Sequence, residues 1–162
     1  MGILDKLRPQ ARWKHADPMV RLEAVQALDA SDTDAVVQVA TEDSDARVRR
    51  AAVGRLGDAD VLAAVTRNDS DTGVRDAAVQ RIVAVAGEPG GAAAVRVLGA
   101  LGRTKDLAIL ARSTAPEPAR HAAVAELSDA KLLGGIARHA VDASTRLLAL
   151  ERLSDAGELE AV

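Results

Sequence analysis

The chain has 162 residues, a formal net charge of −3, and 48% hydrophobic residues, most of them Ala, Val and Leu. Cysteine, phenylalanine and tyrosine are absent and tryptophan occurs once, which excludes disulfides and thiolate chemistry and disfavours a deep aromatic ligand pocket. The acidic balance argues against a dedicated nucleic-acid binder, and no apolar run reaches the ~20 residues that cross a bilayer. A reducing, cytoplasmic location is therefore expected.

Residues 1–16 precede the regular part of the chain. Ile3, Leu4 and Leu7 are spaced as one apolar helical turn, and the single Trp13 follows them. Two interpretations are open: an anchor on a membrane surface or a partner, or a cap over the first unit of a repeat array. We prefer the cap, because every solenoid needs its first repeat covered.

From Asp17 onward, small or apolar residues recur at a first position and then four, five and eight residues later. This spacing marks one face of a 3.6-residue helix, and the absence of period-two alternation predicts no strands. The six sets are Val20/Ala24/Val25/Leu28, Val48/Ala52/Val53/Leu56, Val74/Ala78/Val79/Ile82, Ala93/Val97/Leu98/Leu101, Ala119/Ala123/Val124/Leu127 and Thr145/Ala149/Leu150/Leu153.

Shorter apolar pairs between these sets predict a second type of helix. The pairs are Val36/Val39, Leu62/Val65, Leu107/Leu110, Leu133/Ile136 and Leu159/Val162. Aspartates three residues before the first position are expected to cap the first helix of a repeat at Asp17, Asp45, Asp71 and Asp142. A helix pair repeated in one register predicts a single all-α solenoid over residues 17–162, with about five and a half helix pairs.

The third repeat is irregular. The step from Arg75 to the equivalent position in the next copy, Ala94, is 19 residues, whereas the other steps are 28, 26, 26 and 26 residues. We expect its first helix to extend to about Val85–Ala86, Gly87–Gly91 to break it, and a helix over roughly 92–102 to follow. A kink or a change of superhelical pitch is predicted at this break.

The motif Asp-x-x-Val-Arg-x-x-Ala-(Ala/Val)-x-x-Leu, as in Asp45 to Leu56, resembles the HEAT-like repeats of the phycobilisome-lyase type. The resemblance covers about residues 17–162 and implies a right-handed α-α superhelix whose second helices line the concave face. Similar arrays occur in bacterial scaffold proteins, in lyase subunits and in a DNA glycosylase family, so it implies no single function. The fourth copy departs from the motif with Ala94 and the fifth with Pro116.

An arginine follows the first position in all copies but the fourth. We name these residues the turn arginines: Arg21, Arg49, Arg75, Arg120 and Arg146. Guanidinium groups suit phosphates, so one interpretation is a phosphate-binding series. We favour a structural role, in which each arginine bonds a carboxylate or carbonyl of the neighbouring repeat, because a stacking contact must recur and a ligand site need not.

A second series closes the second helices of the repeats. Arg67, Arg112 and Arg138 each lie two residues beyond a core position, and Thr41 occupies the first slot. Two residues correspond to about 200° of helix rotation, so these side chains point away from the core. Two interpretations are open. These side chains bind an acidic peptide or a phosphate backbone on the concave face, or they are solvated cations that interact favourably with helix C-termini.

Nothing in the sequence predicts catalysis, a metal or a cofactor. His15, His121 and His139 lack metal-ligand spacing, and no Gly-x-Ser-x-Gly motif occurs. The preferred function is a non-catalytic protein-interaction or scaffold module that binds a protein or acidic peptide. The alternatives are a nucleic-acid-binding solenoid of the DNA glycosylase type and a lyase-type subunit.

The end of the sequence lacks a polar cap. Val162 aligns with the core residue Val65 of an earlier repeat. We therefore expect this end to pack on another chain or on the next repeat of a longer protein.

Overall fold

A computed structural model describes residues 11–29 and 31–160, except for the side chains of 155–160. Within these ranges the chain is all-helical, with no strand, as the sequence predicts. A short 3-10 turn at Arg12–Lys14 precedes the α-helices. The helices are α1 Pro18–Ala27, α2 Thr33–Glu42, α3 Ala46–Val53, α4 Ala59–Asn68, α5 Thr72–Ala86, α6 Ala92–Ala100, α7 Thr104–Arg112, α8 Glu117–Ala125, α9 Ala130–His139 and α10 Ala143–Glu160.

The chain divides into two compact units. The first contains the described residues up to Leu56 together with Ala64–Ala78, and the second contains Gly57–Ala63 and the residues from Val79 onward. In the first unit α3 packs on α1 and α2, and the Arg12–Lys14 turn packs on α1. In the second unit α8 packs between α6 and α10, while α7 and α9 pack on each other. Each of α7 and α9 also packs on the helix that follows it.

Aspartate caps fix where the first helix of each of four repeats begins, although this helix is not always the longer one, since α3 has 8 residues and α4 has 10. The Asp17 and Asp45 carboxylates each accept a hydrogen bond of 2.8 Å from the backbone N–H two residues later. Asp71 and Asp142 accept from the N–H three residues later, at 3.0 and 3.1 Å. Each bond satisfies one of the donors that a helix N-terminus leaves free, so the predicted caps are confirmed.

The core consists of the predicted apolar faces in most copies. All four members of the second, third and fifth sets are buried, and so are the described pairs of the shorter helices. The largest fully buried side chains include Leu56, Leu62, Ile82, Leu107 and Leu133. Small aliphatic residues at these positions let helices pack closely, which matches the composition.

The fourth set is wrong in part. Leu98 is buried in α6 as predicted, but the other buried residues there are Ala94 and Val95, whereas the predicted Ala93 is exposed. Before α6, Gly91 lies so close to α5 that an added Cβ would be 2.3 Å from the Val85 carbonyl oxygen, so this position requires glycine. The predicted break is present between Ala86 and Ala92.

The last copy also differs from the prediction. A separate final helix around Leu159/Val162 was expected, but α10 continues unbroken from Ala143 to Glu160. Glu151 and Ser154 stand where the second copy has Gly54 and Gly57, and both have a higher helix propensity than glycine. The side chain of Leu159 and all of Val162 lie outside the described residues.

The predicted N-terminal segment is described only in part. Residues 1–10, including Ile3, Leu4 and Leu7, lie outside the described ranges. Trp13 is half-buried in the turn that packs on α1, and the Lys14 ammonium lies 4.4 Å from the centre of its ring. No described helix is both long enough and apolar enough to cross a membrane.

Candidate protein-binding surface

The turn arginines of the first unit are held by aspartates of the next turn. The Arg21 Nε donates to Asp43 at 2.7 Å, and the Arg49 Nε donates to Asp69 at 2.8 Å. In both pairs Nη2 donates to the second carboxylate oxygen at 2.8 Å, so each pair is bidentate. The side chains of Arg49 and Asp69 are only 11% and 6% exposed.

These pairs shift the ionisation of both partners. Hydrogen bonds from Arg49 hold the pKa of Asp69 below its ordinary value despite partial burial, and Asp69 raises the pKa of Arg49. Burial raises the pKa of Asp43, but the hydrogen bonds from Arg21 and from the Asp45 N–H, together with the charge of Arg21, leave the pKa lowered. The charged forms are therefore favoured at neutral pH.

The other turn arginines also bond to protein acceptors. Arg75 Nη1 donates to the Asp69 carbonyl at 2.7 Å, and Arg146 Nη1 donates to the Ala140 carbonyl at 2.8 Å. Arg120 Nε donates to the Thr145 hydroxyl at 3.1 Å. A phosphate would have to displace these contacts in most copies, so the series is a poor candidate for a ligand site.

The second series, at the ends of the second helices, differs from the turn arginines because its side chains are exposed. Its members are Thr41, Arg67, Arg112 and Arg138. Thr41 donates to the Val37 carbonyl of its own helix at 2.9 Å, and Arg112 Nε donates to the Ala108 carbonyl at 3.0 Å. Among the described residues, neither Arg67 nor Arg138 has an ion-pair or hydrogen-bond partner. Thr41 and Arg67 belong to the first unit, whereas Arg112 and Arg138 lie together on the packed helices of the second.

Two lysines complete the charge pattern around Arg112 and Arg138. Lys105 is exposed on α7 and Lys131 is exposed on α9, each seven residues before the arginine of its helix. Seven residues are about two helical turns, or about 10.5 Å, so the two cations of a helix lie on one face. Neighbouring helix axes are typically about 8–10 Å apart, so four cations border one small area. We name Lys105, Arg112, Lys131 and Arg138 the α7/α9 cations.

The centre of this area is apolar and open. Ile109 lies between Lys105 and Arg112 on α7 and is 59% exposed. Gly135 takes the equivalent position on α9, and no heavy atom lies within 4 Å of where its Cβ would be. A surface depression of about 440 Å³ adjoins Ile109 and is lined by residues 102–106 as well. An exposed aliphatic side chain beside a surface depression, with a cation on each side of it along α7, can receive an apolar side chain that is flanked by carboxylates.

Sequence reasoning found the two arginines of this area and missed the lysines and Ile109. The signal was available, since Lys105 and Lys131 are separated by the same 26 residues as Arg112 and Arg138. A second missed feature is Arg55, with Arg152 in the same slot. Arg55 Nη1 donates to the Gln26 carbonyl at 3.3 Å, and Arg152 Nη2 donates to the Ala125 carbonyl at 3.1 Å. Both close the carbonyl end of an earlier helix.

His121 and Ser144 form the one contact that resembles catalytic machinery among the described side chains. His121 Nε2 lies 3.0 Å from Ser144 Oγ, but the hydroxyl also donates to Asp142, which is the stronger acceptor. That bond, with the Thr145 N–H, lowers the pKa of Asp142 to about 2. A nucleophilic triad needs a carboxylate on Nδ1 of the histidine, and within the described ranges Nδ1 has no such partner. The cluster therefore holds α8 to the start of α10.

No metal centre is present in the described part of the chain, where no three His, Cys, Asp or Glu residues are grouped to hold an ion. His15 accepts a hydrogen bond from the Asp17 N–H at 3.0 Å, and His139 is exposed at the end of α9. The histidines thus have separate surroundings.

Comparison with known proteins gives no relative from which to transfer a role: no family model, no curated protein and no solved structure matches the chain.

Proposed function

We propose that the chain is a non-catalytic, HEAT-like protein-interaction module that binds an acidic segment of a partner on the α7/α9 surface. The observation that carries this proposal is the set of four exposed α7/α9 cations around Ile109. The whole chain has a net charge of −3, so a local group of four cations is a departure from its average surface. Charge complementarity of this kind steers association and fixes orientation.

The surface suits a peptide with an apolar anchor between carboxylates. An aliphatic or aromatic anchor would pack on Ile109 over the space left by Gly135. The arginine guanidinium groups would receive flanking carboxylates, since Arg112 uses only Nε internally and Arg138 donates to no described acceptor. Buried apolar contact would supply most of the affinity and the cations most of the selectivity.

The HEAT-like assignment rests on recurrence. The aspartate caps, the turn arginines and the apolar faces return in register, and in the second unit α6, α8 and α10 pack in chain order beside α7 and α9. Each α-helical pair then buries its apolar face on the next, which is how such repeats are stabilised. A cytoplasmic location is part of the proposal and rests on the cysteine-free sequence.

The test is an affinity pull-down from a lysate of the source cells with wild type and the variant R112E/R138E. The control is R50E/R96E, which makes the same charge change at two other exposed arginines. We expect wild type and the control to retain a common acidic partner and R112E/R138E to lose it, with unchanged circular dichroism for all three. Equal retention by both variants would remove the α7/α9 surface as the site.

Nucleic-acid binding is the second candidate, because the same four cations are spaced to contact phosphates. Binding through four phosphates would fall with salt with a log–log slope of about −3.6. The near absence of aromatic residues leaves no stacking platform for bases. We expect no duplex DNA binding at 150 mM salt in a fluorescence-anisotropy titration, and tight binding with a slope near −4 would favour this candidate instead.

A further inference from the structure

Two of the turn arginines, Arg21 and Arg49, share one bonding geometry with two sides. On the inner side, Nη1 donates to a carbonyl five or six residues earlier, as Arg21 does to His15 at 2.9 Å and Arg49 to Asp43 at 2.8 Å. On the outer side, the edge formed by Nε and Nη2 faces the next turn, where Asp43 and Asp69 receive it. Arg21 and Arg49 therefore link their own turn to the following one, whereas Arg75 Nη2 donates to Thr72 of its own turn at 3.1 Å.

Arg146 has the inner side of this geometry without the outer side. Its Nη1 donates to the carbonyls of Ala140 and Val141 at 2.8 and 3.1 Å. Within the described ranges, its Nε and Nη2 have no acceptor, and neither is among the buried unsatisfied atoms. A guanidinium that is held in place and has two free N–H donors on one edge can bind a carboxylate in a bidentate manner.

Leu150, one helical turn after Arg146, is exposed where its equivalents are buried. Leu150 is 51% exposed, whereas Val53 and Val124 occupy the same slot and are fully buried. Leu147, one helical turn earlier, is 58% exposed. Two large aliphatic side chains therefore lie on one helix face next to a free guanidinium edge. They form an apolar patch whose exposure to water is unfavourable.

This surface continues an interface that already exists inside the second unit. α10 packs on α8, and there Arg120 donates to Thr145 while Val124 is buried. Arg146 and Leu150 occupy on α10 the positions that Arg120 and Val124 occupy on α8, 26 residues earlier. The exposed face of α10 thus repeats the stacking side of α8.

We propose that this face of α10 binds an acidic turn followed by an amphipathic helix with small aliphatic residues, supplied by a different protein. The carboxylate would take the Nε and Nη2 edge of Arg146, and the aliphatic residues would cover Leu147 and Leu150. A second copy of this chain is disfavoured, because its corresponding aspartates Asp43, Asp69 and Asp142 are already engaged. The site lies on α10 and does not depend on the α7/α9 surface.

The test uses a probe taken from the chain itself. A fluorescent peptide with the sequence of residues 67–82 contains such an acidic turn and the start of an amphipathic helix, and a matched peptide carries D69N. Fluorescence anisotropy with the full-length protein should show about tenfold tighter binding of the aspartate peptide, on the scale of a charge-assisted hydrogen bond. The comparison of the two peptides on wild type needs no protein variant and so does not depend on a variant folding.

Protein variants then locate the contact. R146Q should bind both peptides equally, R146K should recover only part of the difference because lysine cannot form the bidentate pair, and L150K should bind neither. Equal binding of the two peptides by wild type, or none at millimolar peptide, would overturn the proposal. Sedimentation equilibrium of the protein alone should show no dimer, and a dimer abolished by L150K would instead assign the face to a second copy.

Discussion

Two groups of basic side chains recur in this molecule with the same period and opposite surroundings. Arg49 of the turn arginines is bidentate to Asp69 and nearly buried, and also donates to the carbonyl of Asp43. Arg138 of the α7/α9 cations is exposed and has no partner among the described groups. Both are arginines in register along the repeat, so residue type and period cannot tell them apart.

The difference lies in how many of the N–H donors are already used. A guanidinium whose donors meet protein acceptors stabilises the fold and costs free energy to expose. A guanidinium with free donors contributes little to stability but is available to a partner. The recurrence of an arginine in the sequence therefore does not show its role. An arginine whose N–H donors are bonded within the protein stabilises the fold, and one whose donors are free can bind a partner.

The largest expected effect separates the two groups by stability. Replacing Arg49 with alanine leaves the Asp69 carboxylate partly buried without its main partner, and we expect a loss of about 3 kcal/mol in the free energy of unfolding. Replacing Arg112 with alanine should change it by less than about 0.5 kcal/mol, because that side chain is exposed. Urea unfolding followed by circular dichroism measures both.

The double variant R49A/D69A sharpens this comparison. Removing both partners eliminates the unpaired carboxylate, so the double variant should be more stable than R49A alone. If R49A and R112A proved equally stable, the assignment of the two groups to structure and to binding would be wrong.

Acid should reduce the stabilisation that comes from the arginine–aspartate pairs, whereas the α7/α9 cations should contribute no pH dependence in this range. The pKa of Asp69 is lower in the folded protein than the ~3.9 of an unfolded aspartate, so folding is stabilised at pH values above about 4. That contribution is lost as the pH falls below about 4 through the folded pKa. Urea unfolding at pH 7, 5, 4 and 3 should show a steeper loss for wild type than for D69N.

R112Q is the matched control for the acid series, since it removes an exposed cation without touching an aspartate pair. It should follow the wild-type pH profile. Parallel profiles for wild type and D69N would mean that the Arg49–Asp69 pair has no net stabilising effect at neutral pH.

Most of the helical framework was predictable because it depends on local signals. The apolar spacing in Val48–Leu56 and the capping aspartate Asp45 act within a few residues, and both are visible in the sequence. The α6 face was predictable only in part, because the burial of Ala94 and Val95 depends on how α6 packs on α7 and α8, which are distant in sequence from these residues. The repeat pattern predicts a break within α10, but the helix propensities of Glu151 and Ser154 favour one continuous helix, as the structure has it.

The candidate site was predictable only in part. Arg112 and Arg138 follow from their position after a core residue, and their exposure agrees with that geometry. The contribution of Ile109 could not be inferred, because an isoleucine on a helix is usually a core residue and only the packing of α7 shows it exposed. Which donors of a turn arginine are free, as in Arg146, depends on acceptors far apart in the sequence.

The smallest expected effect concerns the glycine at the centre of the α7/α9 surface. G135A should raise the free energy of unfolding by about 0.8 kcal/mol, because alanine has the higher helix propensity and its Cβ meets no atom within 4 Å. The matched comparison G134A gains similar propensity, and its Cβ would lie 3.4 Å from Arg138 Nη1, an ordinary van der Waals contact with the end of an exposed side chain. Thermal unfolding should therefore show similar gains for G135A and G134A. A larger replacement, G135L, should fold as well as G135A yet weaken partner binding, because its side chain would fill the open space between Lys131 and Arg138 on α9. Undiminished binding by G135L would show that the partner does not contact α9 at Gly135.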